Sequence, residues 1–418
     1  MSRAMQSMWV SLKSGSWLTP ERLRLYPALL LDFEAVAVLV LVVTSDGRHD
    51  FIGRPLGTDF AQVWVAGTEV LGGHPAQPFD VQAHLGAQRV FFGPATDVYG
   101  WHYPPYFLAL GALLALLPYG AALAVWQLST LPLYLAGARH SLRGGGLAGR
   151  DRPRRRARLP RRLRQPDTWP KRVSHRRPVY RRPPLSRHPA VACGTALALL
   201  AYKPQFGLVI PMALMAGALA GAPRWSCQPG GADRNERRGV RPANVDRLPA
   251  EPRLRSVVLE QGNIGWEKIQ SMFAAVRTLG GTVPEAYAVQ AAASTSVIGA
   301  IAWLWHSSAD PRLKYAALLV GALLTTPYCL DYDMVLLGPA LAFVVAHGVE
   351  KGFAPFEKSL LAAVWVVPLI ARLVAKLSYI PLGPIVMLTL FALIIGRAMQ
   401  ARSEIRAAST SLAAMRSN

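Results

Sequence analysis

The chain has 418 residues, 52% of them hydrophobic and 17% charged, with a mean hydropathy of +0.23. A soluble protein carries roughly a quarter charged residues, so this composition excludes an ordinary soluble enzyme and points to a multi-pass membrane protein. The net charge of +22 suggests a nucleic-acid binder until its distribution is read. Residues 139–188 hold 18 Lys and Arg against Asp151 and Asp167, and residues 223–256 hold 8 against 4 acids, which leaves the remainder at about +2. A nearly neutral membrane protein is interrupted by two basic segments, and nucleic acid is not an expected partner.

In chain order, the first apolar run is Tyr26–Thr44, long enough for one bilayer crossing and preceded by Arg22 and Arg24, which favour a cytoplasmic N-terminus. No small-residue cleavage site follows, so an uncleaved helix is expected. Asp32 and Glu34 within it are costly in lipid and are expected to face the protein interior. Residues 45–102 read as a long external loop with six acids (Asp46, Asp50, Asp59, Glu69, Asp80, Asp97) and only three arginines. The run 106–117 is too short to span alone, and Pro118 and Gly120 interrupt it; 121–138 is long enough.

The expected division is a membrane part at 1–138, a basic irregular segment at 139–188, transmembrane helices at 189–222, a second basic segment at 223–256 and an external loop at 257–285. C-terminal transmembrane helices at 286–396 and a basic tail at 397–418 complete it. The apolar runs behind this are 190–201, 206–222, 286–305, 315–326, 334–349, 360–377 and 380–395. Cys193, Cys227 and Cys329 stand far apart and define neither a metal nor a redox motif, and the nine histidines show no ligand spacing, so no metal is expected.

The segment RDRPRRRARLPRRLRQPDTWPKRVSHRRPVYRR has no apolar periodicity. Three origins fit it: a polybasic loop for anionic lipid or nucleic acid, a disordered linker, or a stretch translated out of frame. Arg and Pro dominate when a GC-rich gene for Ala, Val and Gly is read one base out of register. Back-translating Pro160–Arg182 and shifting by one base can give PAVFVNPTHGQNGFLTAALFIGG, two apolar helices around a polar turn. The second basic segment is expected to share that origin, and a chain translated this way is expected to have little activity.

Several blocks carry chemistry: TDFAQVWVAGTEVLGG (58–73), YGWHYPPYFLAL (99–110), AYKPQFGLVIP (201–211), VVLEQGNIGWEKIQSMFAAVR (257–277) and TTPYCLDYDMVLLGPAL (325–341). In this order they resemble glycosyltransferase family 87, polyprenyl-phosphate-sugar-dependent transferases of the GT-C membrane fold; the reframed THGQNG also resembles a turn of that family. The resemblance implies an all-α polytopic bundle that transfers a hexose, mannose in the family's pattern, from a polyprenyl phosphate donor to an extracytoplasmic lipid or glycan acceptor, with inversion. It implies Asp59 as the general base that deprotonates the acceptor hydroxyl; a solvated loop acid or a turn residue following Thr58 is the plainer alternative.

His102 and Tyr103, ahead of Pro104 and Pro105, could bond acceptor or phosphate, or form an interfacial aromatic belt. Lys203, with Gln205 beside it, interrupts an apolar stretch at Pro204 and suits a phosphate, or snorkels. Trp266, Glu267 and Lys268 fit a sugar or headgroup contact, or a helix start. Asp331, Tyr332 and Asp333 stand where relatives often carry histidines, and suit acceptor binding, metal contact or a loop cap. The rival functions are a transporter or lipid flippase and a basic membrane scaffold; the acidic first loop and the lack of an internal repeat speak against transport.

Overall fold

The computed structural model describes residues 3–94, 96, 99–101, 103–142, 259–262 and 264–417. Residues 143–188, 189–222 and 223–256, with His102, Lys203 and Gln205, therefore lie outside or mostly outside the described residues, as does Asp97. What is described is helical: α1 (Arg3–Ser14), α2 (Pro20–Val43), α3 (Phe60–Leu71), α4 (Val81–Phe92), α5 (Phe107–Ala115) and α6 (Tyr119–Leu142), then α7 (Met272–Thr278), α8 (Val283–His306), α9 (Pro311–Leu324), α10 (Leu337–Lys351), α11 (Glu357–Ser378) and α12 (Leu382–Ser417). Five spans are long and apolar enough to cross a membrane: Pro20–Val43, Val283–His306, Asp331–Lys351, Glu357–Ser378 and Leu382–Glu404.

Most helix starts are written locally. Thr19 caps α2 and Thr282 caps α8, each with a proline in the first turn, and Thr282 forms a reciprocal capping box with Glu285. Asp80 accepts from the backbone of Gln82 and Ala83 at the head of α4, and Ser271 and Asp310 cap α7 and α9.

The C-terminal helices α8 to α12 are antiparallel hairpins around a core that includes Ile301, Leu323, Leu337, Met387 and Leu390. Cross-helix hydrogen bonds identify its two ends. At one, Gln290 Nε2 donates to the Leu324 carbonyl at 2.9 Å and Ser294 Oγ to the Thr325 carbonyl at 3.0 Å. At the other, Arg312 bonds Glu350 at 2.6 Å, His347 meets Asp310 at 3.1 Å, and buried Glu357 pairs with Arg397. At this ion-paired end α1 docks, through Phe356 N to the Lys13 carbonyl at 2.8 Å and Trp17 Nε1 to Ser359 Oγ at 2.7 Å. Burial opposes ionisation of Asp310, but the bonds from His347 and the Arg312 backbone outweigh it and hold its carboxyl below the usual range.

The N-terminal core joins α3, α4, α5 and α6 through Phe60, Val63, Ala66, Phe92, Phe107 and Tyr119. It connects to the C-terminal bundle where α6 packs on α10 and Tyr134 donates to the Val335 carbonyl at 3.1 Å.

One expectation needs correction: Asp32 and Glu34 do not face an interior, since both are exposed and none of α2 is buried among the described residues. Residues 45–102 hold α3 and α4, because Phe60, Val63, Ala66 and Phe107 find each other across the sequence. Residues 257–285 hold a 3₁₀ turn and α7, and α12 continues through the basic tail to Ser417.

The tightest helix contact rests on glycine. A Cβ at Gly67 would lie 2.0 Å from the Gly111 carbonyl oxygen, and one at Gly111 would lie 2.9 Å from the Val63 carbonyl oxygen. Only a pair without side chains lets α3 and α5 approach this closely. Gly67→Ala should lower stability by about 1–3 kcal/mol. Gly86→Ala, where a Cβ meets nothing within 4 Å, should be neutral or gain up to about 1 kcal/mol of helix propensity. Thermal unfolding of the two variants in detergent checks the contrast.

Candidate active site

The turn before α3 places Asp59. Gly57 has φ +79° and Thr58 φ +39°, a left-handed pair in which the threonine is strained; such residues persist where the surroundings over-determine them. Those surroundings are α6: Tyr119 Oη donates to the Leu56 carbonyl, and a Cβ on Gly57 would lie 2.8 Å from Leu123 Cδ1. Asp59 occupies the cap position of α3, yet its side chain makes no capping hydrogen bond.

That carboxylate lies beside the hydroxyl of Tyr332, close enough for the two to act on each other. Tyr103 and Asp333 lie close enough to Tyr332 to act on it electrostatically, and Asp59 and Asp333 act on Tyr328 in the same way. Burial first, then those two carboxylate charges, pushes the Tyr328 hydroxyl above the ordinary phenol range, so it stays protonated across physiological pH. The Tyr332 ring is 48% exposed, so the cluster opens outward.

The turn that carries these tyrosines is held from below. Ile269 and Leu330 form an antiparallel bridge and Gln270 N donates to the Cys329 carbonyl at 2.6 Å. Buried Asp333 accepts from Leu330 N at 2.9 Å and so closes the 3₁₀ turn Asp331–Leu336. Asp331 lies 3.6 Å from Arg372 of α11. Thus the structure brings together Asp59, Tyr103, Tyr332 and Asp333, with Asp331 beside them in the same turn.

Trp266, Glu267 and Lys268 form a 3₁₀ turn immediately before that bridge. Trp266 Nε1 donates to the Leu259 carbonyl at 2.9 Å, and the Arg277 guanidinium sits 4.4 Å from the Trp266 ring centre. Trp266 is thereby a packing residue as well as a candidate contact. Tyr103 stacks on Phe107 with centroids 4.6 Å apart and lies 5.0 Å from Trp101, so an aromatic cluster supports it.

Sequence reasoning missed Tyr328 and Arg372. An arginine inside an apolar run was a usable signal for the second; nothing in the spacing marked the first. It also passed over Glu69 and His84, a buried pair at 2.7 Å. Among the described residues, no group of three or more His, Cys, Asp or Glu could hold a metal ion.

Fold and site define a polytopic helical membrane protein with a carboxylate–tyrosine cluster at one end of its bundle. The sequence profile of glycosyltransferase family 87 matches residues 101–163 and 249–330, about a third of the chain. The match includes Tyr103, Trp266–Lys268 and Tyr328, and stops just short of Asp331; Asp59 lies before it. No curated protein and no solved structure matches the chain.

The Asp59–Tyr332 contact yields a measurable coupling. Asp59→Asn and Tyr332→Phe should each lower stability, and together by less than their sum, with an interaction energy of about 0.5–3 kcal/mol. Additivity within about 0.3 kcal/mol in denaturant titrations would show that the two side chains do not meet.

Proposed function

We propose that this glycosyltransferase moves a hexose, mannose by its family likeness, from a polyprenyl phosphate donor to a lipid or glycan acceptor on the extracytoplasmic side. The observation that carries this reading is the convergence of Asp59 with Tyr332, Tyr328 and Asp333 from distant parts of the chain.

In this reading Asp59 is the general base. It takes the proton of the acceptor hydroxyl as that oxygen attacks the anomeric carbon from the face opposite the phosphate. The bond from carbon to phosphate oxygen breaks, the configuration inverts, and the lipid phosphate leaves with its electron pair. The neighbouring Tyr332 hydroxyl orients the carboxylate, and a base held in place needs no reorganisation at the moment of attack. Protonated Tyr328 can donate to a substrate oxygen. Arg372, beside Asp331, and Lys268, in the 3₁₀ turn that leads into the Ile269–Leu330 bridge, suit the departing phosphate, as do Lys203 and His102 on sequence grounds. Asp331, with Glu267, Trp266, Tyr103 and Gln205, is assigned to substrate binding.

Charge supports the sidedness. The ion-paired end carries Arg3, Lys13, Arg22, Arg24, Lys351, Lys358, Arg397 and Arg402, whereas the segment 45–94 leading into and past Asp59 carries five acids and three arginines. Positive residues favour the cytoplasm, which leaves the cluster outside.

Asp59→Asn preserves shape and removes the base, so transfer from polyprenyl-phosphate mannose should fall about 10²-fold or more. Normal turnover by that variant in isolated membranes rejects the assignment.

The basic segments belong to the same proposal. The family match breaks off across residues 164–248, a gap that holds the larger part of both basic segments, although it runs through residues 150–163 of the first. Nine of the residues in Pro160–Arg182 are Arg or Lys, and at about 2.5–3.5 kcal/mol each at a helix centre they cannot be inserted as two membrane helices. Restoring the frame should raise membrane stability and transfer together, and the Asp59 comparison is made in that restored chain. Equal stability and rate in the unrepaired chain would make the basic segments genuine features.

A further inference from the structure

Between α3 and α4 lies a set of buried polar side chains that the proposed chemistry at Asp59 leaves unused. Glu69 Oε2 meets His84 Nδ1 at 2.7 Å. Gln62 stands two turns before Glu69 on the same face of α3, and Gln88 one turn after His84 on the same face of α4. Gln88 Nε2 donates to the Tyr99 carbonyl at 2.7 Å, which ties this seam to the strand of chain bearing Trp101. None of Gln62, Glu69, His84, Gln88 and Trp101 is more than 6% exposed. Yet Gln62 Oε1, Glu69 Oε1, His84 Nε2, Gln88 Oε1 and Trp101 Nε1 have no hydrogen-bond partner among the described residues. Folded interiors pair nearly all such atoms, so five together indicate a missing partner.

The chemistry of the orphans limits what that partner is. Gln88 has its amide nitrogen committed to Tyr99, so its oxygen is left to accept. His84 has Nδ1 against Glu69 and leaves Nε2 to a further partner, as an acceptor in the neutral ring. With the ring neutral, the set is four acceptors and one indole donor. A phosphate is excluded, because Glu69 would repel it and the acceptors could give it nothing. A metal ion lacks the ligands among the described residues. What fits is a neutral group rich in O–H donors that also accepts once, beside an aromatic surface.

The seam also leads to the reaction centre. Asp59, Gln62, Ala66 and Glu69 fall on one stripe of α3 at 100° per residue. Trp101 lies 5.0 Å from Tyr103, a neighbour of Tyr332 and hence of Asp59. We propose that the seam is a subsite for the hydroxyl groups of the donor hexose, with Gln62, Glu69, His84 and Gln88 as acceptors and Trp101 Nε1 as the donor. The inference rests on the hexose-transfer reading above and adds the residues that would hold the sugar.

The test uses binding instead of turnover, on the full chain with its frame restored across the basic segments, in detergent, with polyprenyl-phosphate mannose and its 2-, 3-, 4- and 6-deoxy analogues as probes. Gln62→Leu removes an orphaned amide without removing a bond seen in the fold. It should therefore melt at the same temperature or higher, while probe affinity falls about tenfold, the worth of one hydrogen bond to a buried group. Glu69→Gln should weaken binding more, because it removes a charged acceptor. At least one deoxy analogue should bind the unsubstituted chain more weakly than the parent sugar but bind Gln62→Leu no more weakly than the parent sugar does.

Unchanged affinity in both variants, with no such coupling, overturns the subsite and leaves the seam to internal water. If Gln62→Leu does not fold, Glu69→Gln and the deoxy series on the unsubstituted chain decide alone: equal binding of all analogues contradicts the proposal. Failure of the unsubstituted chain to bind any probe rejects the donor reading itself, which the previous outcomes do not.

Discussion

The contact of Tyr332 with Asp59 joins two parts of the molecule that also meet where α6 packs on α10. Asp59 belongs to a small helical unit whose packing is set by glycine contacts and aromatic rings; Tyr332 belongs to the mouth of an antiparallel bundle. A carboxylate that caps no helix and a hydroxyl at a turn can be held in register only if both supports are rigid. The strained turn at Gly57 and Thr58, clamped by Tyr119 and Leu123, supplies one. The bridge between Ile269 and Leu330, with Asp333 closing the turn, supplies the other.

The division of labour between the bundle's ends follows from the cost of burying charge. At the end where α1 docks, Asp310, His347, Arg312, Glu350, Glu357 and Arg397 are paired with one another and carry no free function. At the opposite end the polar groups are aimed at a half-open cluster. Apolar helices joined by short turns give each crossing little choice of direction, so the pairing of one end releases the other for chemistry. Without a hydrophobic driving force between helices in lipid, close packing at Gly67 and Gly111 does what burial does in water.

Much of this was legible in the sequence. The spans at 283–306, 357–378 and the start of α12 follow from length and apolarity, and the caps at Thr19, Thr282 and Asp310 from polar residues ahead of proline. Asp59, Tyr103, Tyr332 and Asp333 could be named from motif resemblance, although only three-dimensional packing brings them together. The folding of residues 45–102 was not legible, because its polar content reads as a loop while its apolar positions pair with α5 and α6 far along the chain. Glu69 and His84 were invisible for the same reason: an acid and a histidine in a polar stretch carry no mark of burial. Tyr328 gave no local signal, since its role depends on carboxylates from two other segments.

Covalent mapping of the donor tests the central claim most directly. A polyprenyl-phosphate mannose analogue with a photoreactive diazirine on the sugar, irradiated in membranes containing the full chain, should label peptides spanning residues 56–62 and 325–336, where Asp59 and Tyr332 meet. Labelling confined to the ion-paired end, at residues 310–314 or 347–357, would contradict a transfer site built on that contact.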